Sequence, residues 1–233
     1  APVLAGLGGK LPHRVIPAVG AFFERAAQAA RPEVAEHLRA LLDPTRCDEA
    51  LSLLPVAEPV RFMFDAMLRN TCTPTMLEAG VKRNVIPSSA AACLSGRPLP
   101  GVSAQEMRIE IEALLADPGA ASARLELGNF RAGVSFDHAA PLLGVLERAL
   151  QRHEAGACLA PYMQTGGTDA RFLADLDLTV YGFVPMRHEE GVGTFFELCH
   201  GHDECVSAAN VGFALDVIHD AVADLNGLPV TAC

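Results

Sequence analysis

Between Cys199 and Cys205 the chain reads Cys-His-Gly-His-Asp-Glu-Cys, a run in which six of seven side chains could donate to a metal. A neutral imidazole nitrogen suits zinc at ~2.0–2.1 Å, and thiolates and carboxylates also serve. Donors this close along the chain cannot all turn toward one ion, and structural zinc sites usually draw a second cluster from elsewhere in the fold. The run is therefore not a self-contained centre. His200, in its His-x-x-x-Glu setting, would alone be read as an ordinary histidine, while His202 and Glu204 read as residues that orient the loop or cap the next helix, where acidic charge is favoured. Gly166-Gly167-Thr168-Asp169 makes a tight turn whose backbone N–H groups and hydroxyl could approach a ligand, because glycine permits close approach. Arg97 offers a planar fork that pairs bidentately with a carboxylate as Lys cannot. Asn84 opens Asn-Val-Ile-Pro with an amide that can donate and accept. Without further context these would be a loop, a surface ion pair and a turn.

The elements that would position them follow from periodicity. Val19, Phe22, Phe23 and Ala26 share one helical face, Pro32 with Glu33 opens a second helix to Leu42 closed by Asp43-Pro44, and Asp43 to Leu54 holds a third. Arg61 to Met76, rich in Phe, Met and Thr and interrupted by Pro74, is expected to be a strand with an irregular edge. Gly80 marks a turn, Asn84 to Leu94 the next strand, and Gly96 to Gly101 a loop. Ser103 followed by Glu106 is a capping box for a helix through about residue 116, and Ala123 to Val134 alternates like a strand. Strand, strand, helix, strand is most of a split β-α-β layer. From Asp137 to Ala140 the composition shifts. A helix from Ala140 to His153, a strand from Cys158 to Met163, a short helix from Ala170 to Leu176, a strand from Leu178 to Phe183 and a helix from about Val206 to Leu225 suit the edge of an α/β sheet.

Composition narrows the classes. Half of the 233 residues are apolar and 20% are charged, which is enough for a buried core and too apolar for a disordered chain. No apolar run reaches the roughly 18 residues that span a bilayer. The net charge of −10, with Lys and Arg scattered, argues against a nucleic-acid partner. The seven Cys are odd in number, spread out and without a Cys-x-x-Cys pair, which suits a reducing, cytoplasmic setting. Residue 1 is Ala rather than Met, so a true start and any targeting segment are expected upstream.

Three segments taken in order resemble one family: Asn70 to Gly101, with TPTMLEAGVKRNVIPSSAAACLSGRPLPG; Pro161 to Pro185, with PYMQTGGTDARFLADLDLTVYGFVP; and Cys199 to Ser207, with HGHDECVS. Together they resemble the clan MH metallopeptidases and amidohydrolases, which include aminoacylase, glutamate carboxypeptidase, carboxypeptidase S and succinyl-diaminopimelate desuccinylase. The resemblance implies an α/β chain: the edge of a zinc-aminopeptidase-like α/β catalytic domain plus an α+β lid, or dimerisation domain, with an antiparallel sheet and two helices. The lid would occupy residues 1–135, with a helical insert at about 16–54, and the catalytic part residues 136–233.

The resemblance also implies roles. His200 becomes a terminal zinc ligand, Arg97 the grip on a substrate carboxylate, Asn84 a donor to that carboxylate or to the scissile carbonyl, and Gly167 and Thr168 the lining of the substrate pocket. Ser95 stands where the family often has Asp. Asp169 and Arg171 are expected to hold the glycine turn, and Tyr181, Phe183 and Met186 to pack. Two zinc ions are expected in the complete protein, and cobalt or manganese suits the same donors. The family's His-x-Asp, bridging Asp and Glu-Glu pair have no match before residue 60, and the general-base Glu is expected upstream of this chain, so the chain reads as an N-terminally truncated part of a hydrolase. That hydrolase would cleave an amide or peptide bond adjacent to a free carboxylate, as a homodimer paired through the lid; this portion alone would be inactive. A dimerising homologue that binds carboxylates without turnover is the alternative.

Overall fold

The computed structural model describes residues 11–115, 123–190, 192–193, 198–199 and 201–229. Among them, four helices come first: α1 (Pro17–Ala29), α2 (Pro32–Ala40), α3 (Cys47–Leu53) and α4 (Glu58–Met67). Proline stands in the first two positions of α1, α2 and α4, where its missing N–H costs nothing and its fixed φ already suits a helix. Val19, Phe23 and Ala27 recur every fourth residue along α1 and bury one face. They form one cluster with Leu38, Leu41, Leu51, Leu54, Phe64, Met67 and Leu68. Phe22, Phe23 and Phe64 meet edge to face at 5.1–5.9 Å between centroids, the geometry that aligns ring edges with ring faces.

The expected strand over Arg61–Met76 divides in two. Its first part is α4, because Pro59 and Glu58 start a helix and Phe64 and Met67 fall on one buried face. Its second part begins β1 (Thr71–Ala79), which pairs antiparallel with β2 (Ala90–Arg97) from Thr71↔Arg97 to Ala79↔Ala90. The irregularity foreseen at Pro74 is a register shift between Pro74 and Met76, the place a residue without an N–H can occupy in a strand. Gly80 makes the turn with φ +77°. The expected strand at Asn84 starts six residues later, since Pro87 cannot donate to the ladder, and it runs on through Gly96 and Arg97 in place of the expected loop.

The capping box forms as expected: Ser103 N and Oγ both donate to Glu106 Oε2 at 2.8 Å, and Glu106 N donates to Ser103 Oγ at 3.2 Å. It starts α5 (Ala104–Leu115), whose Met107 and Ile111 pack with Cys72, Leu99 and Val102. Residues 123–134 are not a strand. Their backbone meets the sheet region in the isolated bridge Pro100↔Gly133, and Leu125 and Phe130 pack on the cluster that holds Cys72 and Leu99.

Beyond residue 137 two helices pair: α6 (Pro141–His153) and α7 (Ala208–Leu225), with Leu146 and Ala149 against Phe213, Val217 and Ala221. The segments expected as strands at Cys158–Met163 and Leu178–Phe183 form no strand among the described residues, and two 3₁₀ turns (Asp169–Phe172 and Ala174–Leu176) replace the short helix. Tyr181 and Phe183 pack on the α6–α7 cluster, whereas Met186 is exposed. The chain is thus a mixed α/β structure with a two-stranded antiparallel sheet and several helices among the described residues. No described helix is long and apolar enough to cross a membrane.

Candidate functional site

Arg97 is the last residue of β2 and is exposed. Among the described residues its guanidinium makes no ion pair or hydrogen bond, so its charge is available to a ligand. The backbone that carries it is held firmly. Leu99, two residues on, is buried and its N–H donates to Asn70 Oδ1 at 2.7 Å, while Asn70 Nδ2 donates to Glu110 Oε2 at 2.6 Å. Glu110 in turn accepts from Arg14 Nη2 at 3.2 Å. Asn70 is itself buried, and both ends of its amide are used, as a buried amide requires. A free guanidinium at the end of a fastened strand is suited to catch a carboxylate with little loss of order on binding.

Asn84 lies in the turn after β1, exposed, in a loop closed by the bond from Val85 N to Lys82 O at 3.3 Å. That loop joins the Ala79↔Ala90 end of the ladder, whereas Arg97 stands at the Thr71↔Arg97 end. Seven strand steps separate the two ends, roughly 23 Å at the usual rise of about 3.3 Å per residue. Asn84 and Arg97 are therefore not brought together within one chain.

The glycine turn is placed by packing at its root. Tyr162 packs edge to face on Phe22 with centroids 5.9 Å apart, and Met163 lies against both the helical cluster and the cluster that holds Leu99. Burial pushes the Tyr162 hydroxyl above its ordinary pKa, partly offset by a hydrogen bond with Thr165. Gly167 and Thr168 are exposed. A Cβ on Gly167 would meet Arg171 Nη1 only at 3.8 Å, an ordinary contact, so what glycine provides there is an open backbone rather than a special conformation. Arg171 donates its backbone N–H to Thr168 O at 3.4 Å and lays its guanidinium 4.5 Å from the Phe172 ring centre.

His200 lies outside the described residues. The helix that follows it is capped by Ser207, whose Oγ accepts from Asn210 N at 3.0 Å, a role the sequence reading gave to His202 or Glu204. Ser207 wins because it sits directly before the first helical residue, where a short hydroxyl reaches the free N–H groups.

Among the described residues no three His, Cys, Asp or Glu side chains converge as a metal centre requires. The described residues do not by themselves fit the expected zinc pair, and His200 would have to be joined by ligands from other residues. A cleft of about 650 Å³ lies elsewhere, lined by Ala21, Arg25, His138, Pro141, Glu147 and Pro161, and includes none of the predicted residues. Its Arg25 is spent on Glu147 at 3.0 Å and on the Leu159 carbonyl.

The sequence reading missed the buried polar residues that tie elements together, Asn70, Asn210 and Asp220, and the His153 that pairs with Asp220. Asp220 had a signal, since a carboxylate amid Val217, Ile218, Ala221 and Val222 is buried only when paired. Burial works against its charge, yet hydrogen bonds from His153 and His219 and the charges around them prevail and hold its carboxyl below the ordinary Asp value.

Residues 19–123 match the family model of the peptidase dimerisation domain. Over 132 residues the chain is 31% identical to the N-fatty-acyl-amino acid synthase/hydrolase of Xenopus tropicalis, covering 52% of this chain and 24% of the relative. It is 28% identical over 165 residues to the same-named protein of Homo sapiens, covering 69% and 32%. It is 25% identical over 158 residues to "Probable carboxypeptidase S-like 2" of Dictyostelium discoideum, covering 68% and 30%. The matches thus span 24–32% of these relatives' lengths. No solved structure matches the chain.

Proposed function

We propose that the chain is part of a peptidase or amidohydrolase of the family whose dimerisation-domain model its residues 19–123 match, and that the whole protein hydrolyses an amide bond adjacent to a free carboxylate. The substrate would be an N-acyl amino acid or the C-terminal residue of a small peptide. The observation that carries this reading is the Arg97 guanidinium, uncommitted among the described residues, at the end of a strand tied down by Asn70. Arg can hold both carboxylate oxygens at once, which fixes the bond to be cut relative to the anion.

The names of the relatives support the chemistry: an N-fatty-acyl-amino acid is an amide beside a free carboxylate, and a carboxypeptidase cleaves next to one. His200 would be one ligand of a zinc centre completed by other residues. When bound, zinc supplies an activated water and polarises the carbonyl. Cobalt or manganese would serve the same donors. Gly167 and Thr168 would line the pocket with an open backbone and a hydroxyl. The distance along β2 bears on Asn84. It and Arg97 would serve one substrate as parts of different protomers, so a homodimer through the lid is part of this reading.

The test uses the whole protein with zinc, an N-acyl amino acid and its methyl ester. Hydrolysis of the acid but not the ester is expected. Arg97→Ala should raise KM by about 10- to 100-fold, the loss of roughly 1.5–3 kcal/mol of charged hydrogen bonding, and Arg97→Lys should restore it only in part. An unchanged KM, or equal turnover of acid and ester, would remove the clamp.

A further inference from the structure

Leu159 belongs to no strand, yet both of its backbone groups are taken. Its N–H donates to Glu147 Oε1 at 2.9 Å, and its carbonyl accepts from Arg25 Nη1. The same two side chains pair with each other, Arg25 Nη1 lying 3.0 Å from Glu147 Oε1. Arg25 comes from α1 and Glu147 from α6, so two residues 122 positions apart meet on the backbone of a third segment. A partly exposed ion pair contributes little stability as such. This one supplies the acceptor and the donor that a neighbouring strand would otherwise give to a segment lying against the interior.

Further contacts fasten the same stretch. The turn that brings the chain back from α6 has Gly156 at φ +83°, and Gln151 Nε2 donates to Ala157 O at 2.8 Å. The Leu159 side chain packs on the α6–α7 cluster. Tyr162 meets Phe22, which stands one helical turn before Arg25, and Met163 joins the helical cluster to the one that holds Leu99. Directly after these anchors the chain runs out to the exposed Gly166, Gly167 and Thr168.

We propose that Arg25 is a positioning residue for the glycine turn: with Glu147 it holds Leu159, and so sets where Gly167 and Thr168 stand relative to the helical cluster. This rests on the reading of Gly167 and Thr168 as pocket lining given above. The arrangement has a direction, because a guanidinium only donates and a carboxylate only accepts. Arg25 must face the carbonyl and Glu147 the N–H. Swapping the two residues keeps the ion pair but sets donor against donor and acceptor against acceptor at Leu159. Lys at position 25 keeps a charged donor, and Arg25 itself uses a single nitrogen for both bonds, so Lys should serve in part.

The experiment uses the whole protein with zinc and an N-acyl amino acid, and the variants Arg25→Ala, Arg25→Lys and the double swap Arg25→Glu with Glu147→Arg. Alongside kcat and KM, backbone amide exchange is followed by mass spectrometry for peptides within 157–168 and, as reference, within 90–115. Arg25→Ala should raise KM about tenfold, equivalent to about 1.4 kcal/mol, with kcat little moved, since a displaced pocket wall weakens binding before it touches the reacting bond. Exchange in 157–168 should quicken by a similar factor while 90–115 is unchanged. Arg25→Lys should recover part of both effects, and the swapped pair neither. Should Arg25→Ala not fold, Arg25→Lys carries the test, with a smaller rise in KM and the same contrast between the two regions. Full recovery by the swapped pair would reduce Arg25 to an ordinary ion pair and overturn the proposal, as would equal loosening of both regions or a loosened 157–168 with unaltered KM. Absence of any amide hydrolysis by the unmutated protein would instead refute the hydrolase reading, and the amide-exchange comparison of Arg25→Ala with the swapped pair would still decide whether Arg25 holds the segment.

Discussion

His153 Nε2 lies 2.8 Å from Asp220 Oδ2, which joins the last residue of α6 to the second half of α7. One turn further along, Arg152 Nη2 reaches both oxygens of Asp224 at 2.7 and 2.8 Å. The pair is the polar edge of an apolar interface, and Asp220 is its buried member. Asp220→Ala should therefore destabilise the protein by about 1–3 kcal/mol, because it leaves His153 without its partner. Chemical denaturation checks the value.

The same carboxylate sets an acid limit. Its folded pKa is below its unfolded value, so its contribution is complete above the ordinary Asp value near 3.9 and is lost as pH falls through the lower folded value. The α6–α7 contribution should persist at pH 5 and fade below about pH 4. Comparing stability against pH for the unmutated chain and Asp220→Asn should show the acid slope shrink in the variant.

Asn70 and Asn84 make an internal control, since both are asparagines flanking the same sheet. Asn70 is buried and serves Leu99 N and Glu110, whereas Asn84 is exposed in a turn. Asn70→Ala should cost about 1–3 kcal/mol by orphaning a buried N–H, and Asn84→Ala should stay within about 0.5 kcal/mol. Thermal melts would reveal whether the ranking is reversed, which would contradict the burial assigned to Asn70.

Thiol chemistry reads the packing directly. Burial pushes the Cys47 and Cys72 thiols above their ordinary pKa, at Cys47 against the pull of Arg69. Cys93, Cys158 and Cys205 are exposed. Since the thiolate is the reactive form, iodoacetamide at pH 8 should label the three exposed cysteines first and reach Cys47 and Cys72 only on unfolding. Peptide mass mapping over time would expose early labelling of either buried thiol.

Local chemistry was legible where it acts within one turn. Pro32 marks a helix start, and Ser103 with Glu106 forms the cap its spacing announces. Residues 61–76 were misread because Phe, Met and Thr suit a strand as well as a buried helix face, and only Pro59 with Glu58 separates the two. Residues 123–134 alternate in the manner of a strand, but a strand exists only if a partner offers its edge, which composition does not reveal.

By itself the sequence determined the helix start at Pro32, the one capped by Ser103, the break at Pro74, the turn at Gly80 and the order of the three motif segments, because each is written in neighbouring side chains. Only the tertiary structure decided that Arg97 and Asn84 stand at opposite ends of one ladder, that Asn70 ties the strand carrying Arg97, and that Asn210 meets Arg187. Those pairings depend on how the chain returns on itself across tens of residues, where hydrogen-bond geometry and burial select the partner and local spacing carries no trace of the choice.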